Sequence, residues 1–394
     1  MCGFTFTVFL SAFQLLPTAP FRIRELGGST FQQGLFLACL TYASAISAPF
    51  TGAVADRVGR RLTLIIASAI IAACSVGYAV TSSVRVMLAL VLVHGVFWSA
   101  LLSASAAYLT NLLPERRRAE GVGYWGLSTT AAVAVAPPIA FWILQEGGWR
   151  WICVSCGALN VLMCAIAFAL DEGPSPHPVV AASAQHAAPP SRLSSLLEWR
   201  VLVLAGTLFL YSFGYGAITT FSAVYAAALD ISPKSIYLTT LAIAILCTRP
   251  MSGPLADRIG YRRVLLPCLA LIAAGLALLA VRGTTWSFIA SAIVFGIGFG
   301  TAYPVFVAYV MKDIDTRRRG AAFGAILAAF DTGVGTGSMS AGWLIQRFGF
   351  SAAFGVAAAL SVIALPYFIV ADKNLRRTWG APSTTRPSLR RRSS

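Results

Sequence analysis

The feature that most constrains the fold is a repeated alternation between long apolar stretches and short polar connections. A helix needs about 20 mostly apolar residues to cross a bilayer. Twelve such stretches can be read, at residues 2–21, 31–55, 62–81, 84–109, 119–144, 149–170, 199–228, 233–256, 263–281, 285–311, 320–345 and 351–371. They lack the period-two alternation of membrane β-strands. The sequence therefore predicts an all-α integral membrane protein with twelve transmembrane helices.

Composition agrees with a membrane protein and argues against a soluble one. Hydrophobic residues make up 57% of the chain and charged residues only 11%, whereas soluble domains are about 25% charged. A soluble protein of this kind would expose large apolar patches and aggregate. The net charge of +16 does not indicate a nucleic-acid partner, because the basic residues stand in short runs between apolar stretches.

The distribution of Lys and Arg predicts the orientation. If both termini lie in the cytoplasm, the cytoplasmic connections and the tail hold 22 of the 30 basic residues and the outer connections hold 7. Cytoplasmic loops of membrane proteins carry this excess. We therefore expect a multi-pass protein of the cell membrane, a bacterial cytoplasmic membrane, with both termini inside. The first stretch is barely long enough to span, so we expect either that the true start of the protein lies upstream or that its N-terminus is unusually short.

An internal repeat divides the chain into two halves. The segment 52–61 recurs at 253–262, and the same offset of 201 residues aligns Gly123 with Gly324 and Tyr108 with Tyr309. We expect two pseudo-symmetric six-helix bundles, residues 1–170 and 199–371, related by an axis along the membrane normal. Residues 171–198 are rich in Pro, Ala and Ser and predict a cytoplasmic linker, and residues 372–394 predict a basic cytoplasmic tail.

The connection after the second stretch carries a family resemblance. Its residues Gly52-x-x-Ala55-Asp56-Arg57-x-Gly59-Arg60-Arg61 resemble the signature loop of the major facilitator superfamily, and 253–260 is a weaker copy. The segments 119–124 and 330–337 are similar to those of bacterial efflux branches, which export drugs, sugars or metallophores. The resemblance covers nearly the whole chain and implies the fold of that superfamily.

The signature loop predicts a conformational latch. A carboxylate where a helix ends can face the positive N-terminal end of a neighbouring helix, and an Arg. The resemblance implies that this neighbour is the eleventh helix and that the contact holds the cytoplasmic side closed. The alternative is a fixed cap with no role in opening. The latch candidates are Gly52, Asp56, Arg57, Gly59, Arg60, Asp257 and Arg258.

Polar groups at membrane depth are candidates for ion coupling, because charge inside a bilayer is costly. Asp331 lies about 16 Å along its helix, near the midplane. His94 and Arg249 are the other candidates. The alternatives are a carboxyl held by the backbone or by Arg249, a packed histidine, and an arginine that reaches the membrane interface.

Aromatic residues suggest a ligand cavity. In the family's architecture, helices one, four, seven and ten line the cavity. Tyr211 and Tyr215, and Phe299 and Tyr303, are spaced i, i+4 and so share a helix face, as do His94 and Trp98. The cavity candidates are Phe13, Gln14, Trp98, Tyr211, Tyr215, Phe299 and Tyr303.

These observations favour a secondary transporter that works by alternating access, exporting a small organic molecule by proton coupling. Two departures from the family weaken antiport: Val91 stands where an Arg is frequent, and 136–138 is a degraded Gly-Pro pattern. The alternatives are an uptake symporter or facilitator for a sugar or organic acid and, in a different class, a non-transporting sensor or intramembrane enzyme.

We expect no enzymatic activity, no cofactor and no metal site. Cys153 and Cys156 form a C-x-x-C pair without a nearby His or acidic residue, which favours a packing role. The expected partners are a small-molecule substrate, protons and the lipid bilayer, with no nucleic acid, and the protein is expected to be a monomer.

Overall fold

The computed structural model describes residues 1–112, 118–170, 199–281, 284–312, 314 and 319–379. These residues form helices joined by short connections, and no strand occurs among them. The helices are α1 Cys2–Glu25, α2 Thr30–Val58, α3 Arg60–Val80, α4 Val84–Leu112, α5 118–147, α6 149–168, α7 Trp199–Ala228, α8 Ile236–Ile259, α9 Tyr261–Ala280, α10 Thr285–Met311, α11 Arg319–Phe348 and α12 Phe350–Trp379.

Glycines form the tightest connections. Arg118–Phe168 is helical except at Gly148, whose φ of 72° and ψ of −169° divide it into α5 and α6. Gly59 and Gly260 have φ of 100° and 95°, and each alone joins two helices. Positive φ is accessible to glycine without the clash that a Cβ atom causes, which explains both copies of the glycine in the repeat.

The helices have the length and composition of membrane spans. Ten stretches of the described residues are long and apolar enough to cross a bilayer, and one of them, Tyr124–Phe168, covers most of α5 and all of α6. α11 is not among the ten, because Asp331 and several Gly, Ser and Thr residues lower its hydropathy. The all-α membrane fold predicted from the sequence is thereby confirmed.

The helices pack as two bundles. In the first, α6 contacts α1 through Ser155 and Gln14, whose Oγ and Oε1 atoms lie 2.8 Å apart. It contacts α3 through Asn160 Nδ2, which donates to Ser75 Oγ over 3.0 Å. In the second bundle, Tyr237 and Ser291 join α8 to α10 with their hydroxyls 3.1 Å apart. Between the bundles, α2 packs on α11, α5 on α8 and α1 on α7.

Two predictions about segments have different outcomes. The proposed linker 171–198 lies outside the described residues. The expected start of the tail at 372 differs from the structure, because α12 continues to Trp379. Asp372 is 2% exposed, Arg262 Nη1 lies 3.5 Å from its Oδ2, and Tyr309 donates to its Oδ1, so α9 and α10 hold this end of α12 in place.

Candidate functional site

The halves meet along the α2–α11 pair. A Cβ atom on Gly34 would lie 2.2 Å from the Ser338 carbonyl oxygen, and one on Gly342 would lie 2.7 Å from that of Thr30. Ser338 Oγ also donates to the Gly34 carbonyl over 2.8 Å. Glycine is required here because the two backbones touch. We call this end of the bundle, beside the α1–α2 connection, the Gly28 end, and the opposite end the Gly59 end.

The same helix faces are uncovered at the Gly59 end. Gly52 follows Gly34 by 18 residues, which is about five turns, so both glycines lie on one face of α2. Gly324 precedes Gly342 by the same interval on α11. A Cβ atom on Gly52 or Gly324 would meet no described atom within 4 Å. The described parts of α2 and α11 are therefore closed at the Gly28 end and separated at the Gly59 end.

The α5–α8 pair repeats this arrangement. Arg249 Nη1 donates a 2.5 Å hydrogen bond across the halves to Thr130 Oγ1. About one turn nearer the Gly59 end on each helix lie Gly126 and Gly253, and a Cβ atom on either would meet no described atom within 4 Å. The cleft between the halves thus ends near Arg249.

Asp331 lies where the α2–α11 contact ends. Ser44 Oγ donates to Asp331 Oδ2 over 3.0 Å, and this bond also crosses the halves. Thr130 and Asp331 are 201 residues apart, the offset of the internal repeat. Equivalent positions of α5 and α11 therefore each accept a hydrogen bond from the opposite half.

An aromatic cluster of the second half lies beside these bonds. Tyr215 stacks on Phe299 with ring centroids 4.5 Å apart, and Phe330 lies 6.2 Å from Tyr215 and 5.2 Å from Tyr303. Arg249 is within electrostatic range of the Tyr215 and Tyr303 phenols. Tyr303 is in turn within range of Asp331. Both charged candidates thus border one aromatic surface, formed by α7, α10 and α11. Tyr211 is fully buried behind it, against Phe299 and Phe306.

The first half contributes a smaller aromatic cluster from α1 and α4. Phe9 packs edge-on against Trp98 with centroids 5.4 Å apart, and Phe13 lies 6.3 Å from Phe9. All three rings are partly exposed. Phe13 and Trp98, two of the sequence candidates, are therefore brought together.

Two sequence candidates lie inside the first bundle instead. Gln14 is 2% exposed and faces Ser155 of α6. His94 is 3% exposed, and its Nδ1 lies 3.4 Å from the Tyr78 hydroxyl of α3. Its other neighbours around a small internal cavity include Ser11, Trp98 and Asn160. The described structure does not bring His94 together with Asp331 or Arg249.

The latch candidates lie at the Gly59 end. Arg57 and Arg258 are exposed, and Arg60 Nη1 donates to the Ala107 carbonyl of α4 over 3.1 Å. Asp257 accepts a 2.7 Å hydrogen bond from Tyr261 of its own half. Asp56 occupies the last turns of α2, and its side chain lies outside the described residues.

Sequence reasoning missed four residues of this site. Phe9 could have been found from its i, i+4 spacing to Phe13. Phe330 is adjacent to Asp331 in the sequence. Ser44 and Thr130 gave no signal, because small hydroxyl residues are common in membrane helices and only the packing of the halves shows their partners.

The halves also touch at the Gly28 end through a cation–π contact. Lys234 Nζ lies 5.3 Å from the ring centroid of Phe21, which packs edge-on against Phe141 at 5.6 Å. At the same end, Phe31 N donates to Gln346 Oε1 over 3.2 Å. Such contacts contribute about 0.5–1 kcal/mol at exposed sites.

Comparison with known families gives a match over nearly the whole chain. The model of the Major Facilitator Superfamily matches residues 1–248 and 204–393. MJ1560 of Methanocaldococcus jannaschii, named an uncharacterized MFS-type transporter, is 20% identical over 369 residues, which cover 91% of this chain and 94% of the relative. YhhS of Escherichia coli strain K12, with the same description, is 24% identical over 371 residues, 92% of this chain and 89% of the relative.

Solved structures share the fold. The nucleoside transporter NupG superposes with a TM-score of 0.70 at 18% identity, covering 94% of this chain and 97% of NupG. A D-xylose-proton symporter superposes with a TM-score of 0.76 at 16% identity, covering 93% of this chain and 95% of the symporter.

Proposed function

The chain belongs to the Major Facilitator Superfamily, and on that premise we propose that it carries a small organic molecule across the membrane by proton-coupled alternating access. The membership makes it a multi-pass membrane transporter. The observation that carries the proposal is the asymmetry of the paired helix faces. Gly34 and Gly342 are packed against the opposite half, whereas a Cβ atom on Gly52 or Gly324 would contact none of the described residues.

The packing register supports closure of the Gly59 end in a second state. α2 and α11 are antiparallel, with Gly34 beside Ser338 and Thr41 beside Gly335. If the same register continues, Gly52 comes opposite Gly324. A pivot near Ser44 and Asp331 would then exchange one set of glycine contacts for the other, opening one end as it closes the other.

The latch fits this second state. Asp56 lies about one turn beyond Gly52, and α11 begins at Arg319, so closure in this register brings the Asp56 position to the N-terminus of α11. A carboxylate is stabilised there by the unpaired backbone N–H groups. We expect Asp56→Asn to insert normally, to react faster with thiol reagents at a cysteine placed at Val54, and to lose transport. Glu146→Gln, at an exposed position, is the matched control. Normal flux in Asp56→Asn would show that Asp56 does not act as a latch.

We place the Gly59 end in the cytoplasm, because this assignment puts 22 of 30 basic residues inside. Single cysteines at positions 174–190 should then react only with reagents that enter the cell. Labelling by an impermeant reagent from outside would contradict this orientation and indicate the opposite one.

The proton is proposed to bind Asp331, the carboxyl group at the junction of the halves. Protonation neutralises the Asp331 carboxylate, whose charge is costly once water leaves the interface between the halves. The neutral form therefore allows α11 to move. The test is flux in proteoliposomes under an imposed pH gradient, screened with radiolabelled sugars, nucleosides, carboxylates and amines.

The expected result is accumulation of at least one class that requires the gradient. The sign of the gradient that drives it separates export, which the sequence motifs favour, from uptake. Substrate entry that is the same with and without the pH gradient would indicate facilitated transport and not proton-coupled transport.

A further inference from the structure

Arg249 is a guanidinium group near the middle of the membrane without a carboxylate partner among the described residues. The ion pairs between described residues are Arg22 with Glu25 and Arg262 with Asp372, and neither involves Arg249. Arg249 donates to the neutral Thr130 hydroxyl. An arginine at this depth normally pairs with an anion or faces an aqueous cavity, because its desolvation is costly.

The surroundings of Arg249 form a site rather than a packing contact. The Tyr215 and Tyr303 phenols lie within electrostatic range of the guanidinium. The stacked rings of Tyr215 and Phe299 continue to Phe330, giving an apolar surface beside the charge. A planar guanidinium next to aromatic rings can hold a carboxylate by two parallel hydrogen bonds while the rings pack against the remainder of the ligand.

The internal repeat supplies no acidic counterpart at the position equivalent to Arg249. The position equivalent to Arg249 in the first half is Ala48, 201 residues earlier. The first half presents Thr130 and the aromatic rings of Phe9, Phe13 and Trp98. Asp331, the carboxyl group of α11, accepts a hydrogen bond from Ser44, and the described structure shows no ion pair between Asp331 and Arg249.

We propose that the cleft binds a small organic anion, with its carboxylate on Arg249 and its apolar or aromatic part against Tyr215, Phe299 and Phe330. This inference rests on the proposed transport function and names its substrate class. The anion supplies the counter-charge that Arg249 lacks. It reaches the guanidinium from the Gly59 end, where no described atom covers the faces of Gly126 and Gly253.

The test uses three probes of nearly equal shape, namely benzoate, benzamide and benzylamine. Binding of radiolabelled benzoate to the purified full-length protein is measured, with the other two as competitors. We expect benzoate to bind at millimolar concentrations or below and unlabelled benzoate alone to compete. Arg249→Gln should weaken binding by about tenfold to a hundredfold, the effect of losing a charge-assisted hydrogen bond.

Two further variants guard against a folding defect. Arg249→Lys keeps the positive charge but loses the planar guanidinium that can donate two parallel hydrogen bonds. This variant should bind benzoate with intermediate affinity. Arg85→Gln removes an exposed arginine in the first turn of α4, at the Gly28 end, and should bind as the unmodified protein does. Competition by benzylamine, equal binding of all three probes, or no benzoate binding would overturn the anion site.

Failure of this inference is distinguishable from failure of the proposed function. Gradient-driven flux of a neutral or cationic compound would support the proposed transport function and contradict the anion site. Benzoate binding that depends on Arg249, without flux of any anion, would support the anion site and contradict the proposal of proton-coupled transport.

Discussion

Ser44 and Asp331 join the two halves of the protein through a 3.0 Å hydrogen bond in the middle of α2 and α11. The corresponding bond of the other helix pair runs from Arg249 to Thr130, and Thr130 is the repeat equivalent of Asp331. Two related positions thus mark where contact between the halves ends. One of them carries a carboxyl group and the other a hydroxyl, so the second half alone can take up a proton there.

The first prediction separates the two candidate proton carriers. Asp331→Asn should abolish gradient-driven accumulation but keep exchange without a gradient, because the amide fills the same space and cannot be charged. His94→Gln should keep gradient-driven flux, because His94 is packed against Tyr78 inside the first bundle. Flux is measured in proteoliposomes. Loss of coupling in His94→Gln alone would transfer the proton site to His94.

The second prediction concerns pH. Charged Asp331 repels an anion held on Arg249, and protonation removes that repulsion, so benzoate affinity should rise as the pH is lowered towards the range in which this carboxyl protonates. Among the described residues, the titratable and charged groups around Asp331 are the Tyr303 phenol, which lies within electrostatic range of it, and Arg249, which lies within range of the same phenol. Asp331→Asn should bind benzoate tightly with little pH dependence. Binding that weakens on acidification, or an unchanged profile in Asp331→Asn, would contradict the account.

If this sign is correct, the proton and the anion bind together and move in the same direction. The anion site therefore favours the uptake alternative considered from the sequence, the symport of an organic acid, over export in exchange for protons. A gradient experiment in oriented vesicles decides between these directions.

Much of the architecture could be predicted from the sequence, because span length, basic connections and a repeat at constant offset depend on local composition. The direction in which individual side chains point could not be predicted in this way. Helices that are apolar on all sides carry no periodic pattern to show which face meets which neighbour. The sequence therefore predicts Gln14 in the cavity and His94 in coupling, whereas the structure places both inside the first bundle. Asp331 remains a coupling candidate that the sequence alone singles out, because a carboxylate at membrane depth is unusual by itself.

The third prediction concerns stability at the Gly59 end. Asp372→Asn weakens the bonds to Arg262 and Tyr309 that hold α12, and should lower the free energy of unfolding by about 2 kcal/mol. The effect is smaller than for a fully buried pair, since the Arg262 side chain is 39% exposed. Thermal unfolding of the purified protein measures it. The neighbouring exposed Lys373→Gln is the control, and equal melting of the two variants would show that this cluster does not stabilise the fold.

The fourth prediction tests alternating access, the central claim, by setting Gly34→Ala against Gly52→Ala. Spin labels at Val58 and Phe323 report the separation of the halves at the Gly59 end, and labels at Ser82 and Thr284 report it at the Gly28 end. Pulsed electron paramagnetic resonance gives both distances in lipid.

Gly34→Ala places a methyl group 2.2 Å from the Ser338 carbonyl oxygen, so it should lengthen the Ser82–Thr284 distance and shorten the Val58–Phe323 distance. Gly52→Ala meets no described atom in the present state and blocks closure at the Gly59 end, so it should hold the Val58–Phe323 distance long. Opposite shifts of the two distances are the result that the account predicts. Distances that stay fixed in both variants, or that change in the same direction at both ends, would contradict it.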